Sequence, residues 1–269
     1  MQPPFEKQIG SRIREFMGGQ VDPAGREKDA LEREIVTAML DYWRGQQGRV
    51  IAKIRPKVPK DRKALSELPD LLNATWWDKE IKELLAVLTP LISKGASGGV
   101  AVHAAELEPL GIAVDWTLPH ADAMDWARKY SGNLVKGITK TTKAKLRNDI
   151  LDWMDSGEHL DSLTRTLSQG YGYSRKRAEL IAMTETTKAF SRGQIVAAQE
   201  LERTGRLEYD KQWLTANDDI VCDICKPLNE KRVRGTQTPF HSEIAGELYA
   251  PPAHPGCRCG VATRPVIPE

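Results

Sequence analysis

The sequence predicts a mainly α fold with a small α+β zinc-binding C-terminal module. Three observations carry that expectation. Apolar residues recur at helical spacing as far as Arg203. Past Gly205 the texture changes to short strand-like stretches, the first holding Tyr209, Trp213 and Leu214. All four cysteines lie in two short segments, Cys222-Asp223-Ile224-Cys225 and His254-Pro255-Gly256-Cys257-Arg258-Cys259. Four thiols and an imidazole from two such segments can close around one metal ion.

Composition bounds the rest. A chain of 269 residues can build one large domain or two smaller ones. Hydrophobic residues at 40% and charged residues at 28% suit a soluble protein with a modest core. No apolar run reaches the ~20 residues of a membrane helix. No apolar stretch follows Met1-Gln2-Pro3-Pro4-Phe5 as a secretory signal would require. A reducing setting is therefore expected, where clustered Cys beside His favours a metal over two disulfides. The net charge of +2 excludes a globally basic nucleic-acid binder and leaves local basic patches open.

Three consecutive regions are expected: a helical, partly extended region over 1–120, a helical bundle over 121–203 and the zinc module over 204–269. Asp22-Pro23 reads as a helix start. Leu31, Ile35, Met39 and Tyr42/Trp43 form that helix's stripe, and Gly45 and Gly48 are expected to end it. Arg55–Arg62 is a proline-punctuated basic linker. Helix resumes near Thr75 with Ile81, Leu84, Leu85 and Leu88 on one face, and Pro90 should kink or end it. The stretch with Gly95, Gly98 and Gly99 is either a loop or a helix packed unusually close to a neighbour. No Gly-Lys-Ser/Thr follows, so it is not a Walker-type phosphate loop. Pro109–Pro119 reads as a connection with one short strand, Ile112-Ala113-Val114.

From Ala121, Met124, Ala127, Tyr130, Leu134 and Ile138 share one face. A second helix carries Leu146, Ile150 and Trp153, and a third, Glu158–Leu167, carries Leu160, Leu163 and Leu167. Gly170–Gly172 is a turn, and Ser174 caps a fourth helix running at least to Phe190. Leu207–Thr215 reads as a strand, with Arg232–Arg234 and Gly260–Thr263 as pairing partners.

Cys222 and Cys225 suit a tight turn presenting two thiolates to one Zn²⁺. With His254, Cys257 and Cys259 there are five candidates for four positions. The expected set is Cys222, Cys225 and Cys259 with either His254 or Cys257. Arg258, between two thiolates, would offset their charge. A redox Cys-x-x-Cys is the rival reading, but the βαβ context of thioredoxin-like motifs is missing. A zinc-supported nuclease, with His241 or His254 as general base, is another. The nearby acids Asp218 and Asp219 read more simply as a solvated turn or a cap. Lys136, Lys140, Lys143, Lys145 and Arg147 form one basic cluster, and Arg175, Lys176 and Arg177 a second. They fit nucleic-acid phosphates or a solvated helix face equally well. Thr184-Glu185-Thr186-Thr187, poor helix formers in mid-helix, point to a specific contact, for instance Glu185 with a neighbouring helix or the zinc module.

Three stretches in order carry a family resemblance: Arg177–Glu185 continuing to Ala189 and Gly193, then Trp213–Ala216 with Asp218 before Cys222 and Cys225, then Pro251–Cys259. Together they resemble the phage Mu protein F type of minor head protein over roughly 121–265. Such relatives often carry a glycine soon after the second Cys, where this chain has Asn229-Glu230-Lys231, and a shorter segment than Arg234–Tyr249. The resemblance implies a structural minor head protein of a tailed bacteriophage acting in head morphogenesis, and in DNA packaging or ejection. The partners it implies are the phage portal protein and the scaffold or major capsid protein, with DNA nearby and no membrane. The place it implies is the capsid interior near the portal, reached from the host cytoplasm during assembly. With Glu269 ten residues past Cys259, no fused C-terminal enzyme domain is expected.

Overall fold

The computed structural model describes residues 25–57, 72–112, 114–205 and 207–266. The Asp22-Pro23 helix start, the basic linker beyond Lys57, and Ala113 fall outside them. Among the described residues five helices precede five strands. They are α1 (Gly25–Ile54), α2 (Ala74–Leu107), α3 (Thr117–Ser156), α4 (Leu160–Gln169) and α5 (Arg175–Arg203). Strands β1 (Tyr209–Leu214), β2 (Arg232–Arg234), β3 (Phe240–Ser242), β4 (Gly246–Leu248) and β5 (Gly260–Pro265) follow. The fold is mainly helical, with its strands confined to the C-terminal part.

By compactness the chain forms two discontinuous units, one of Met1–Glu32, Ile92–Ala127 and Met183–Glu269, the other of Arg33–Leu91 and Arg128–Ala182. Four of the five helices contribute residues to both.

The helices are longer than their local signals. α1 passes through Gly45 and Gly48. Each glycine costs about 1 kcal/mol in a helix interior, and burial of Val50, Ile51 and Ile54 beyond them outweighs that. α2 starts at Ala74, one residue before the expected Thr75, with Asn73 Oδ1 capping the Trp76 amide at 3.0 Å. It continues through Pro90, because Leu84, Leu88, Ile92, Ala96 and Val100 form one buried stripe across the proline. The same continuity overturns the statement that no apolar run reaches membrane length: by length and composition Ala74–Leu110 could cross one. Neither Ile112 nor Val114 is in a strand.

The two helices expected after Ala121 are one, α3. Its buried line is Ala123, Ala127, Ser131, Val135, Ile138, Thr142, Leu146, Ile150 and Trp153. Met124, Tyr130 and Leu134 lie half-buried beside that line. α4 carries Leu160, Leu163 and Leu167 inward as expected, and Ser174 Oγ accepts from the Arg177 amide at 3.2 Å to cap α5.

In the first unit, Gly95, Gly98 and Gly99 prove to be helical and closely packed. A Cβ on Gly99 would collide with the Phe190 carbonyl oxygen and come within 3.0 Å of the Gln194 nitrogen. A Cβ on Gly193 would collide with the Ala96 carbonyl and reach 2.9 Å from the Gly99 Cα. Backbone therefore meets backbone between α2 and α5. His103, fully buried on α2, joins the sheet through Tyr209 Oη (Nε2, 3.1 Å) and Thr263 Oγ1 (Nδ1, 2.9 Å).

In the second unit, Glu80 is a buried carboxylate. Arg49 donates to it through Nε (2.7 Å) and a terminal nitrogen (2.8 Å), Tyr42 through its hydroxyl (2.9 Å) and Gln46 through Nε2 (3.0 Å). Burial alone would raise its pKa, but the hydrogen bonds from Arg49, Tyr42 and Gln46 outweigh it and hold it below the ordinary range.

Two outcomes follow. Gly193→Ala should lower stability by about 3 kcal/mol, because the new methyl meets backbone that cannot rotate away; urea unfolding of the full chain measures it. Glu80→Gln should be destabilised by about 1–2 kcal/mol at pH 7, since it weakens the charged acceptor of Arg49, Tyr42 and Gln46 while Arg49 keeps Glu83 at 2.9 Å. A lowered carboxyl pKa stabilises the fold above its unfolded value near 4.3 and loses that contribution as pH falls through the folded value. The gap between wild type and variant should thus narrow on acidification below about pH 4, as read by urea midpoints across pH.

Candidate metal centre

The C-terminal sheet has the order β2-β1-β5, all antiparallel, with Gln212 opposite both Arg232 and Ala262. Both expected partners of the first strand are in place. The β3-β4 hairpin was not foreseen, its strands being only three residues each; it occupies the long Arg234–Tyr249 segment. Lys211, fully buried on β1, donates to the Tyr249 carbonyl at 2.8 Å and lies 5.2 Å from the Phe240 ring centre. Burial depresses its pKa to about 8. Trp213, Leu228, Phe240 and Val261 pack with Cys225, Cys257, Cys259 and Ile195 of α5 in one core cluster.

Two tight turns bring the donors together. After β1, the Cys225 and Lys226 amides both donate to the Cys222 carbonyl, at 3.0 and 2.9 Å. Before β5, the Cys257 amide donates to the His254 carbonyl at 3.2 Å, and Gly256 holds the turn at φ 76°. A side chain there would be strained. Glu230 also takes positive φ, 61°, a conformation that glycine adopts without strain.

All four cysteines are free thiols. Cys222, Cys225 and His254 form one mutually close group, and Cys225, Cys257 and Cys259 a second, so Cys225 belongs to both. Cys222 Sγ lies 3.0 Å and Cys225 Sγ 3.5 Å from His254 Nε2, and Cys225 Sγ lies 3.7 Å from Cys257 Sγ. A tetrahedral Zn²⁺ with 2.3 Å Zn–S bonds has S···S edges of about 3.8 Å, close to the Cys225–Cys257 separation. His254 Nδ1 lies 2.9 Å from the Pro255 carbonyl, which assigns it the proton and turns the Nε2 lone pair to the sulfurs. A hollow of about 40 Å³ borders all five donors. The donor set fits a soft or borderline metal ion. The expected grouping of Cys259 with Cys222 is not among these close groups.

The thiols hold their protons unequally. Hydrogen bonds from Cys225, then Cys259, hold the Cys257 thiol well below its ordinary range despite burial. Those to Cys257 and Cys259, with burial, push Cys225 up. A dication among these three close thiols would stabilise all of them as thiolates.

Neighbouring residues hold the two turns. Asp218 caps the first through Ile220 N (3.2 Å) and takes both Arg258 terminal nitrogens at 2.6 and 2.8 Å. It is therefore a cap and also a clamp between the segments. The Arg258 hydrogen bonds hold the Asp218 carboxyl below its ordinary range. α5 supplies the contact that its threonines foretold, through neighbours of Glu185: Thr184 Oγ1 accepts from the Gly256 amide (2.9 Å) and Thr187 Oγ1 donates to the Cys257 carbonyl (3.2 Å). Lys28 Nζ, buried, donates to the Cys259 carbonyl at 3.2 Å. No sequence pattern marked Lys28, which is 231 residues from its partner.

The basic clusters separate. Lys136, Lys140, Lys143, Lys145, Arg147, Arg175 and Lys176 are exposed. Arg177 is not available to a phosphate: it is 4% exposed, donates to Thr142 Oγ1 (3.0 Å), Ile138 O (3.0 Å) and Gly172 O, and stacks 5.0 Å from the Trp43 ring centre. His241 is exposed on β3 and has no part in the cluster of donors.

Purified under reducing conditions with divalent metal, the chain should take up about one ion. Cys225→Ser, which removes the donor common to both groups, should abolish uptake and speed proteolysis after Gly205, leaving the helical signal by circular dichroism largely in place. Equal uptake by the variant, measured by mass spectrometry of the metal, would overturn the assignment.

No curated protein and no solved structure gives a significant match to the chain. Residues 144–262 match a family model described as Phage Mu protein F like protein. The matched segment runs from within α3 to β5 and contains all five donors, the Asp218–Arg258 clamp and the threonines of α5. Through this C-terminal part the chain is similar to the Phage Mu protein F like family.

Proposed function

We propose that the protein is a minor head protein of a tailed bacteriophage, seated at the portal inside the capsid, with a structural zinc ion locking its C-terminal module. The observation that carries this reading is the coincidence of family match and metal centre: the matched segment contains every candidate ligand and the α5 face that grips them. Zinc is the ion of choice because a thiolate-rich set with one imidazole suits it, and it brings no redox chemistry to a particle. The centre is read as a staple and not a catalyst, because catalytic zinc keeps an open position beside three protein ligands. Here five side chains compete for four places. The portal protein and the scaffold or major capsid protein are the proposed partners, met in the host cytoplasm during assembly.

The test uses the phage that encodes the chain. Mass spectrometry of purified virions should find it in far fewer copies than the major capsid protein, and affinity capture from infected cells should retrieve the portal protein. Cys225→Ser should reduce its incorporation. Absence from virions, together with metal-dependent plasmid cleavage lost in His254→Ala, would replace this reading with a nuclease.

A further inference from the structure

The residues from Trp126 to Asn148 contain no acid and seven bases: Arg128, Lys129, Lys136, Lys140, Lys143, Lys145 and Arg147. All of them lie on α3. At 3.6 residues per turn, Lys136, Lys140, Lys143 and Arg147 stand at i, i+4, i+7 and i+11, within one narrow stripe. Each is exposed. Among the described residues none of the four has a carboxylate partner. Lys145 points to the other side of the helix, toward Asp149, whose charge it stabilises. Arg175 is paired with Glu179 at 3.6 Å, and Arg177 is buried. Four of the eight candidate cations thus form one straight row on α3, while Lys176, also exposed, belongs to α5.

We infer that this row is a binding surface for duplex DNA, held through its phosphates and without regard to sequence. The row spans about 16 Å at 1.5 Å per residue, and duplex DNA presents one charge per about 1.7 Å of axis. A straight, evenly charged rod therefore meets a straight, evenly charged row. The four residues of the stripe are not aromatic, and the Trp77 ring 5.9 Å from Lys143 Nζ is buried, so the contact positions and does not specify. An anionic membrane is the weaker match. Surface-bound amphipathic helices insert an apolar face, and here Val135, Ile138, Leu146 and Ile150 are already buried in the protein. The net charge of only +2 makes the row a local feature, not part of a general basic surface. The inference rests on this surface alone and stands or falls apart from the portal reading.

Anisotropy of a labelled 30-base-pair duplex with the full chain tests it across salt concentrations. Four phosphate contacts predict a slope of log K against log salt of about −3 to −4. The exposed double variant Lys140→Glu/Lys143→Glu should bind more than tenfold more weakly and lose about two units of that slope. Lys145→Glu should stay within about twofold at 0.15 M salt, since it stands on the opposite side of α3 from the row and salt screens its charge. A scrambled duplex should bind equally. Unchanged affinity in the double variant, no binding at low salt, or capture of phosphatidylserine vesicles in place of DNA would each overturn the inference. Circular dichroism of each variant confirms that it is folded.

Discussion

The close approach of α2 to α5 is the constraint on which the first unit depends. Gly99 and Gly193 let two backbones touch where any side chain would hold them apart. That contact sets how α5 lies, and α5 presents Thr184 and Thr187 to the backbone of the second donor segment. Ile195, about two turns further on, enters the core cluster that holds three of the four cysteines. His103 on α2 reaches β1 and β5 from the same helix. Helix packing and donor geometry are therefore one problem.

The candidate metal centre is held at several depths. Its turns are closed by local backbone hydrogen bonds, which bring each pair of donors to one side. The two segments are then clamped to each other by Asp218 and Arg258 and to helices by Lys28, Thr184 and Thr187. Three of these contacts end on backbone of the second segment. Residues behind a metal site that fix its ligands in this way tune both affinity and order. A small module gains most from such an arrangement, because its own core is too small to repay the entropy of ordering its loops.

In the second unit, charges divide into those drawn inside and those left out. Glu80 and Arg177 are buried and saturated with partners, which costs desolvation and is tolerable only because every strong group is met. Lys136, Lys140, Lys143 and Arg147 of α3 remain exposed, with no carboxylate partner among the described residues. A neutral surface would have served stability equally well, so the uncompensated row asks for a partner of opposite sign.

The sequence by itself determined the helical class, the strands β1, β2 and β5, the Ser174 cap and the five candidate donors that lie close together, because each is written in local spacing or in residue chemistry. Cys-x-x-Cys and His-x-x-Cys carry their turns with them. Only the tertiary structure decided whether Gly45, Gly48 and Pro90 break their helices, since burial on either side outweighs a local penalty that sequence can see. It decided that the glycines before Val100 pack rather than loop, because the partner carbonyls come from a helix far along the chain. It also separated Arg177 from its neighbours Arg175 and Lys176: the three look alike in sequence, and only the place of Thr142, Ile138 and Trp43 shows that one of them is an interior residue.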